Sequence, residues 1–399
     1  MIDPPFSPTE PEAAGLSGPR LRRIGAALRH EIEAGRTPGA VVGIVRGGKL
    51  AYLEATGHRD PATREPLKTD AIFSIASMTK PMVSTAIMSL VEEGRVLLAD
   101  PVSKYLPPLG EVKVFTPGGL RDPKQLPTIQ DLLRHSSGMT YRDRGTTAAH
   151  AQYPGSSMWA AAQMSKEETI AALAKAPLLF DPGSDWEYGF STDVLGFVVE
   201  AVTGQPLGSV LQERLWGPLG MSDTSFALPA EKRSRYALAL PKDPVTGQAN
   251  ATIHHATGKP QKWESGGGGS LSTATDYLRF CEMMRQGGTL GGTDILGRGT
   301  VKLMTSDHLP LSFNNLIADK MDPAATGYGF GLGFAVRRQD GIAAMAGSAG
   351  DYYWSGVYGT YFWIDPREEL SVVFMAAAPG LIRLRYRQLM RNMVYQALI

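Results

Sequence analysis

Residues 73–94 read FSIASMTKPMVSTAIMSLVEEG, and they join an extended start to a strongly apolar helix. The pattern of apolar residues from Lys80 onward is helical and ends at Gly94. Pro81 marks the helix start, since proline is tolerated only in the first turn of a helix. The pattern therefore places Ser77 at a helix N-terminus.

A serine in this position has the chemistry of a candidate nucleophile. Unpaired backbone N–H groups and the positive end of the helix dipole favour a developing oxyanion there. Lys80 is three residues on and projects from the same face as Ser77. A desolvated Lys80 amine could take the Ser77 proton. A Ser-x-x-Lys pair arises about once by chance in a chain of this composition, so a plain N-cap serine and a surface lysine remain the alternative at this point.

Length and composition indicate an ordinary globular protein. The chain has 399 residues, 43% hydrophobic residues and a formal net charge of +1. This length favours two domains or one domain with a large insertion. Scattered basic residues give no nucleic-acid footprint, so we expect no nucleic-acid partner.

The cysteine content and the chain start bear on the compartment. Cys281 is the lone cysteine, so no intramolecular disulfide framework is possible, and its helical pattern predicts a buried structural thiol. The first twenty residues lack a secretory signal pattern, and no apolar run is long enough to span a bilayer. We therefore expect a cytoplasmic protein that does not contact a membrane.

The two ends of the chain are rich in strand patterns. Gly47-Gly48 separates the apolar runs 40–46 and 49–56 and predicts a hairpin. Further strands are predicted at 328–336, 342–346, 357–364 and 370–376, and helices at 21–34 and 381–398. Between these ends, the spacing of apolar residues predicts helices at 129–134, 166–174, 193–202 and 207–215.

These elements predict an α+β fold of the α/β sandwich type. An antiparallel sheet is flanked by the N- and C-terminal helices, and residues 1–96 and 265–399 form a discontinuous domain. Residues 97–264 form a mainly helical inserted domain. The active site is expected in the cleft between the two domains.

Two further blocks contain residues suited to a site. Residues 180–191 read FDPGSDWEYGFS and place Tyr188 just before a predicted helix. Residues 347–357 read GSAGDYYWSGV, and their small residues allow a backbone to approach a ligand closely.

In this order and spacing the three blocks resemble the serine β-lactamase and penicillin-recognising family, most closely its family VIII carboxylesterases. The resemblance extends over nearly the whole chain through LLRHSSG at 132–138, PLGMSDT at 218–224, GGSLST at 268–273 and YGFG at 328–331. It implies that Ser77 is acylated, that Lys80 and Tyr188 share its proton, and that the N–H groups of Ser77 and Val357 form the oxyanion hole. The sequence contains no H-E-x-x-H motif, P-loop or dinucleotide fingerprint, so we expect neither a cofactor nor a metal.

Departures from the family pattern bear on the substrate. Phe190 stands where related β-lactamases have an amide-binding asparagine, and Trp354-Ser355-Gly356 replaces a block that opens with a carboxylate-binding lysine. Loss of that cation favours neutral, hydrophobic acyl esters over β-lactams, and we expect acyl chains of short to medium length. The expected substrate contacts are Trp354, Ser355, Gly356, Phe190, Trp186 and Tyr353.

Several alternatives remain. The same site could serve a β-lactamase, a D-amino-acid peptidase or an acyltransferase, and a non-catalytic binding protein on this fold is a remote possibility. No G-x-S-x-G elbow occurs, which argues against a Ser-His-Asp hydrolase. His135 is interpreted as a structural hydrogen-bonding residue and not as a catalytic base. The pair His254-His255 lacks a third ligand at useful spacing, which argues against a metal site. The choice of Lys80 or Tyr188 as primary base and the oligomeric state stay open.

Overall fold

Strands from both ends of the chain form the main sheet of the protein. The computed structural model describes residues 6–313 and 316–399. The strands in this part are β1 (Gly39–Arg46), β2 (Lys49–Asp60), β3 (Glu65–Pro66), β4 (Phe73–Ser74), β5 (Val114–Thr116), β6 (Gly119–Arg121), β7 (Leu271–Ser272), β8 (Thr289–Leu290), β9 (Thr293–Asp294), β10 (Tyr328–Phe330), β11 (Ala335–Arg337), β12 (Tyr352–Ser355), β13 (Tyr361–Asp365) and β14 (Leu370–Ala376). Eight of them pair in the order β10-β11-β12-β13-β14-β1-β2-β3, with every neighbouring pair antiparallel.

Helices surround this sheet and fill the middle of the chain. They are α1 (Gly18–Glu33), α2 (Thr79–Glu92), α3 (Ile129–Leu133), α4 (Ser157–Gln163), α5 (Lys166–Lys175), α6 (Ser191–Thr203), α7 (Leu207–Leu211), α8 (His254–Thr257), α9 (Ala274–Arg285), α10 (Arg298–Met304), α11 (Leu316–Lys320) and α12 (Ile382–Tyr395). α1 packs on β1, β2 and α12, while α9 packs on β1, β13 and β14. The predicted α+β sandwich with terminal helices is confirmed.

The predicted hairpin at the start of the sheet is confirmed. Gly47 and Gly48 both have positive φ, 57° and 76°, as a two-residue hairpin turn requires. All residues of β1 except Arg46 are buried. Such burial at successive residues means that helices cover both faces of the strand.

Three strand predictions near the C-terminal end were wrong. The strand predicted at 328–336 is two strands, β10 and β11, because Gly333 takes a φ of 104° between them. Residues 342–346 form no strand: the carbonyls of Met345 and Ala346 accept hydrogen bonds from the Arg337 guanidinium at 3.1 and 3.0 Å. The strand predicted at 357–364 begins only at Tyr361, and β12 lies inside the block 347–357, where no strand was predicted.

The middle of the chain holds α3 to α8 and meets the terminal parts of the chain at two β-bridges, Ile72 with Tyr236 and Ser225 with Leu271. The predicted division at residues 96 and 265 stays a prediction. In the described residues no single helix has the length and apolar character to cross a membrane, and only the bent pair Ser191–Thr203 and Leu207–Trp216 passes the same criteria together.

Candidate active site

Ser77 lies in a short turn between β4 and α2. The turn Ala76–Met78 is a 3₁₀ helix, and its first residue, Ala76, has a φ of 44°. Such a conformation is strained for a residue with a side chain and is often found next to reacting groups. Ser77 is the one partly exposed residue in the otherwise buried stretch 71–80. The turn therefore presents its hydroxyl to solvent from a rigid, buried support.

Lys80 lies one turn further on and is only 1% exposed. Its Nζ donates to the Gly267 carbonyl at 2.5 Å and lies 3.4 Å from both Ser77 Oγ and Tyr141 OH. Within the described residues it forms no ion pair. Lys80 Nζ is thus within hydrogen-bonding distance of the Gly267 carbonyl, the Tyr141 hydroxyl and the candidate nucleophile at once.

Tyr188 lies over Lys80, with the lysine Nζ 4.5 Å from the centre of the phenol ring. Its hydroxyl accepts a hydrogen bond from Trp354 Nε1 at 3.3 Å. Gly189 allows this placement, because a Cβ there would overlap the Thr140 backbone. The structure thus brings Ser77, Lys80 and Tyr188 together, as the sequence predicts.

The end of β12 lies against the turn that contains Ser77. A Cβ at Gly356 would overlap the Ile75 carbonyl oxygen, so only glycine fits there. Thr360 Oγ1 also donates to the Ile75 carbonyl at 3.2 Å. Val357 follows directly, and its N–H has no backbone acceptor in the described part of the chain. The N–H groups of Val357 and Ser77 are therefore suited to an oxyanion hole.

A buried polar network supports Lys80 and was missed by the sequence analysis. Tyr141 OH is 2.7 Å from Ser157 Oγ, which donates to Asp193 at 2.5 Å. Asp193 also accepts from Ser265 at 2.6 Å and from the Gly267 N–H at 2.8 Å. Asp193 thus fixes both the Ser157 hydroxyl and the backbone segment whose carbonyl binds Lys80.

Burial sets the protonation behaviour of this network. It raises the pKa of Tyr141 well above its usual range, and the nearby Asp193 carboxylate adds to the effect. Burial also raises the pKa of Asp193, while the positive charge of Lys80 and the bonds from Ser157 and Ser265 oppose that rise. Tyr141 therefore stays a neutral hydrogen-bonding group at neutral pH.

A cavity of about 410 Å³ opens over Ser77. Of the residues predicted at the site, it is lined by Ser77, Tyr188, Ser355 and Val357. Trp354, Gly356, Phe190, Trp186 and Tyr353 are not in its wall, and the four aromatic side chains among them are buried behind it. Trp354 Nε1 lies 3.3 Å from the Tyr188 hydroxyl. The ring centres of Phe190 and Tyr141 are 4.8 Å apart. These aromatic residues support the site from behind.

The histidines and the cysteine have structural surroundings. The His135 ring packs 4.8 Å from the Tyr188 ring, and its buried Nδ1 has no partner in the described residues, so the predicted side-chain hydrogen bond is not formed through that atom. Burial holds the pKa of His135 well below its usual value. His255 Nδ1 is 2.7 Å from Ser74 Oγ and its Nε2 is 3.0 Å from the Gly269 carbonyl. Cys281 is buried in α9, as predicted.

Comparisons with known proteins identify a family and a shared fold. The family model described as Beta-lactamase matches residues 24–392. The chain is 30% identical over 382 residues to Esterase EstB of Burkholderia gladioli, covering 92% of this chain and 93% of that protein. Its structure superposes on EstCE1, described as a hydrolase with promiscuous acyltransferase activity, with a TM-score of 0.80 and 27% identity over 94% of this chain and 99% of that one. A family VIII carboxylesterase shares the fold with a TM-score of 0.69 at 19% identity, over 96% and 99% of the two chains.

Proposed function

Because this chain belongs to the β-lactamase family, we propose that it is a serine carboxylesterase that forms an acyl-enzyme on Ser77. The similarity to Esterase EstB supports ester hydrolysis as the reaction class. The observation that carries the proposal is the contact between Lys80 Nζ and Ser77 Oγ, 3.4 Å apart, with Ser77 in the wall of the cavity and Lys80 buried behind it.

In the acylation step, Ser77 Oγ attacks the ester carbonyl carbon while its proton passes to the neutral amine of Lys80. The Oγ–C bond forms, and the carbonyl oxygen becomes an oxyanion that the N–H groups of Ser77 and Val357 stabilise. Collapse of this tetrahedral intermediate breaks the C–O bond to the alcohol. The leaving alkoxide takes a proton from the Tyr188 hydroxyl, which Lys80 then re-protonates.

In the deacylation step, a water molecule replaces the alcohol. The Lys80 and Tyr188 pair takes one proton from the water as the water oxygen attacks the acyl carbon. Collapse of the second tetrahedral intermediate breaks the bond between the acyl carbon and Ser77 Oγ and releases the carboxylic acid. Ser77 Oγ takes back the proton that the pair holds, which restores the hydroxyl and the free amine. Lys80 is the immediate proton acceptor in this account, because its Nζ contacts Ser77 Oγ whereas the Tyr188 hydroxyl contacts Trp354.

The cavity supports esters of limited size. A volume of about 410 Å³ is at the small end for ligand sites. Met158 and Met321 in its wall suit an apolar acyl group of short to medium length. Trp354 stands where related β-lactamases have a lysine, so this position offers no cation to a carboxylate next to the reacting bond.

A kinetic comparison tests the proposal. Wild type and Ser77→Ala are assayed with 4-nitrophenyl acetate, butanoate and octanoate and with a chromogenic cephalosporin. We expect ester turnover by wild type, loss of at least about a thousandfold in Ser77→Ala, and little cephalosporin hydrolysis. A cephalosporin rate above the ester rates would favour the β-lactamase alternative. Faster product formation with an added alcohol acceptor would favour acyl transfer.

A further inference from the structure

Basic side chains gather around the outer part of the cavity that contains Ser77. Its lining includes the cations Arg144, Lys320, Arg383 and Arg387, and a single carboxylate, Asp143. Such an excess of one charge in a cleft attracts ligands of the opposite charge. The value of each cation for binding depends on whether a carboxylate of the protein already neutralises it.

Three of the four cations have acidic partners. Arg144 Nε lies 2.6 Å from Glu187, and Lys320 Nζ lies 3.3 Å from the same carboxylate. Arg387 binds Asp322 at 3.0 Å, with both side chains buried. These pairs form a scaffold whose charges are largely compensated.

Arg383 has no such partner. Within the described residues it forms no ion pair, and its guanidinium donates to the carbonyl of Gly380. The carboxylates of Asp322 and Asp243 attract Arg383 and oppose the fall in its pKa, but neither forms an ion pair with it in the described residues. Burial, together with the neighbouring Arg387, lowers the pKa of Arg383 to about 10. Keeping this cation in the cavity wall therefore costs free energy that a bound anion would recover.

The geometry of α12 aims Arg383 at the cavity. Arg383 and Arg387 are four residues apart and so share one face of the helix. Arg385 lies on another face, where it is largely exposed and binds Glu31 at 3.1 Å. Only the first pair lines the cavity.

We propose that Arg383 forms a carboxylate-binding subsite, so that the preferred substrates are esters with a carboxylate several bonds away from the scissile carbonyl. This inference rests on the proposed function of Ser77. It refines the expectation of neutral esters: the group next to the reacting bond is neutral, and the anionic end of the substrate contacts α12. A guanidinium and a carboxylate can form two parallel hydrogen bonds, which would also orient the ester over Ser77.

Two matched pairs of chromogenic esters test the subsite. In the first pair, 4-nitrophenyl hydrogen glutarate has a carboxylate on its acyl side, and 4-nitrophenyl methyl glutarate is its neutral counterpart. In the second pair, 4-butanoyloxybenzoate has a carboxylate on its alcohol side, and its methyl ester is the neutral counterpart. We expect wild type to favour the acid by about tenfold in kcat/KM in at least one pair, about the effect of one charge-assisted hydrogen bond.

Variants of α12 show whether Arg383 causes that preference. Arg383→Gln should bring the ratio close to one, chiefly by raising KM for the acid, while Arg383→Lys should keep part of it. Arg385→Gln is the matched control on the same helix and should leave the ratio unchanged. The neutral methyl esters show whether each variant still folds and reacts.

The possible failures are distinguishable. A wild-type ratio near one in both pairs, or a ratio that survives in Arg383→Gln, overturns the subsite while leaving the esterase proposal intact. Ester turnover that persists in Ser77→Ala overturns the proposed function, whatever the ratio.

Discussion

The Nζ atom of Lys80 lies 3.4 Å from Oγ of Ser77, and Lys80 is almost completely buried without a carboxylate partner in the described residues. The lysine is thus within hydrogen-bonding distance of the serine that it would deprotonate. The bond to the Gly267 carbonyl directs the side chain.

Replacing Lys80 should slow the chemical step strongly and leave substrate binding nearly unchanged. For Lys80→Met, which keeps the length and apolar stem, we expect kcat to fall by about 10²–10⁴, the usual contribution of a general base, with a much smaller change in KM. Steady-state kinetics on 4-nitrophenyl butanoate measure both. Lys104→Met, an exposed lysine paired with Asp100, is the control. A change confined to KM would show that Lys80 is a substrate contact.

Tyr188 and Trp354 should act as a unit, since the Trp354 N–H binds the Tyr188 hydroxyl. Tyr188→Phe and Trp354→Phe should each lower kcat, and the double variant should be no slower than Tyr188→Phe alone. A double-mutant cycle on kcat compares wild type, the two single variants and the double variant. Fully additive losses would mean that Trp354 acts elsewhere, for example as the substrate contact expected from the sequence.

Asp193 is a positioning residue for Lys80. Asp193→Asn keeps the size of the side chain but removes its charge and changes its bonds to Ser157 and Gly267, so we expect kcat to fall at least about tenfold with little change in KM. Ser265→Ala removes one bond to Asp193 without removing its charge, and its effect should be smaller. Equal losses in both variants, or a loss that follows the melting temperature alone, would reduce Asp193 to a purely structural role.

Gly356 is required where β12 passes the Ser77 turn. A Cβ in Gly356→Ala would overlap the Ile75 carbonyl, so we expect about 1–3 kcal/mol of destabilisation from the strain. We also expect a lower kcat, because the Val357 N–H would move. Gly299→Ala is the control, since nothing lies within 4 Å of a Cβ at that position. Unchanged activity in Gly356→Ala would argue against Val357 as an oxyanion donor.

His255 should make stability depend on pH. Burial lowers the pKa of His255 to about 4 from an ordinary value of 6.5. Below about pH 6.5 the unfolded chain therefore binds a proton that the folded chain does not, so stability is lost as the pH falls towards 4.

The corresponding free energy is about 2 kcal/mol between pH 7 and pH 5. Urea unfolding of wild type and His255→Asn at several pH values measures it as a difference in slope. If the free energy of unfolding has the same pH dependence in the two proteins, the pKa of His255 is not lowered by folding, which would contradict this prediction.

The sequence predicted the parts of the site that depend on local pattern. Pro81 and the apolar helix after it placed Ser77 in the turn before α2, and Gly47-Gly48 predicted the first hairpin. Ser77, Lys80 and Tyr188 followed from recognisable blocks. Short-range patterns contain this information because helix starts and tight turns are set by neighbouring residues.

The parts that depend on tertiary contacts could not be predicted. Tyr141, Ser157 and Asp193 come from separate segments and meet only in the folded chain. No spacing rule connects them, although a buried aspartate early in α6 is a weak signal. The strand predicted at 342–346 failed for the same reason, since distant arginines bind its carbonyls. The aromatic residues before Gly356 had the composition of a pocket, yet packing placed them behind it.

The most direct test of the account is the identification of the acylated residue. Wild type and Ser77→Ala are treated with a 4-nitrophenyl alkylphosphonate, which mimics the tetrahedral intermediate, and are analysed by intact mass and peptide mapping. We predict one phosphonyl group per wild-type chain, located on Ser77, and none on Ser77→Ala. An adduct on another residue, or equal labelling of Ser77→Ala, would contradict the assignment of Ser77 as the nucleophile.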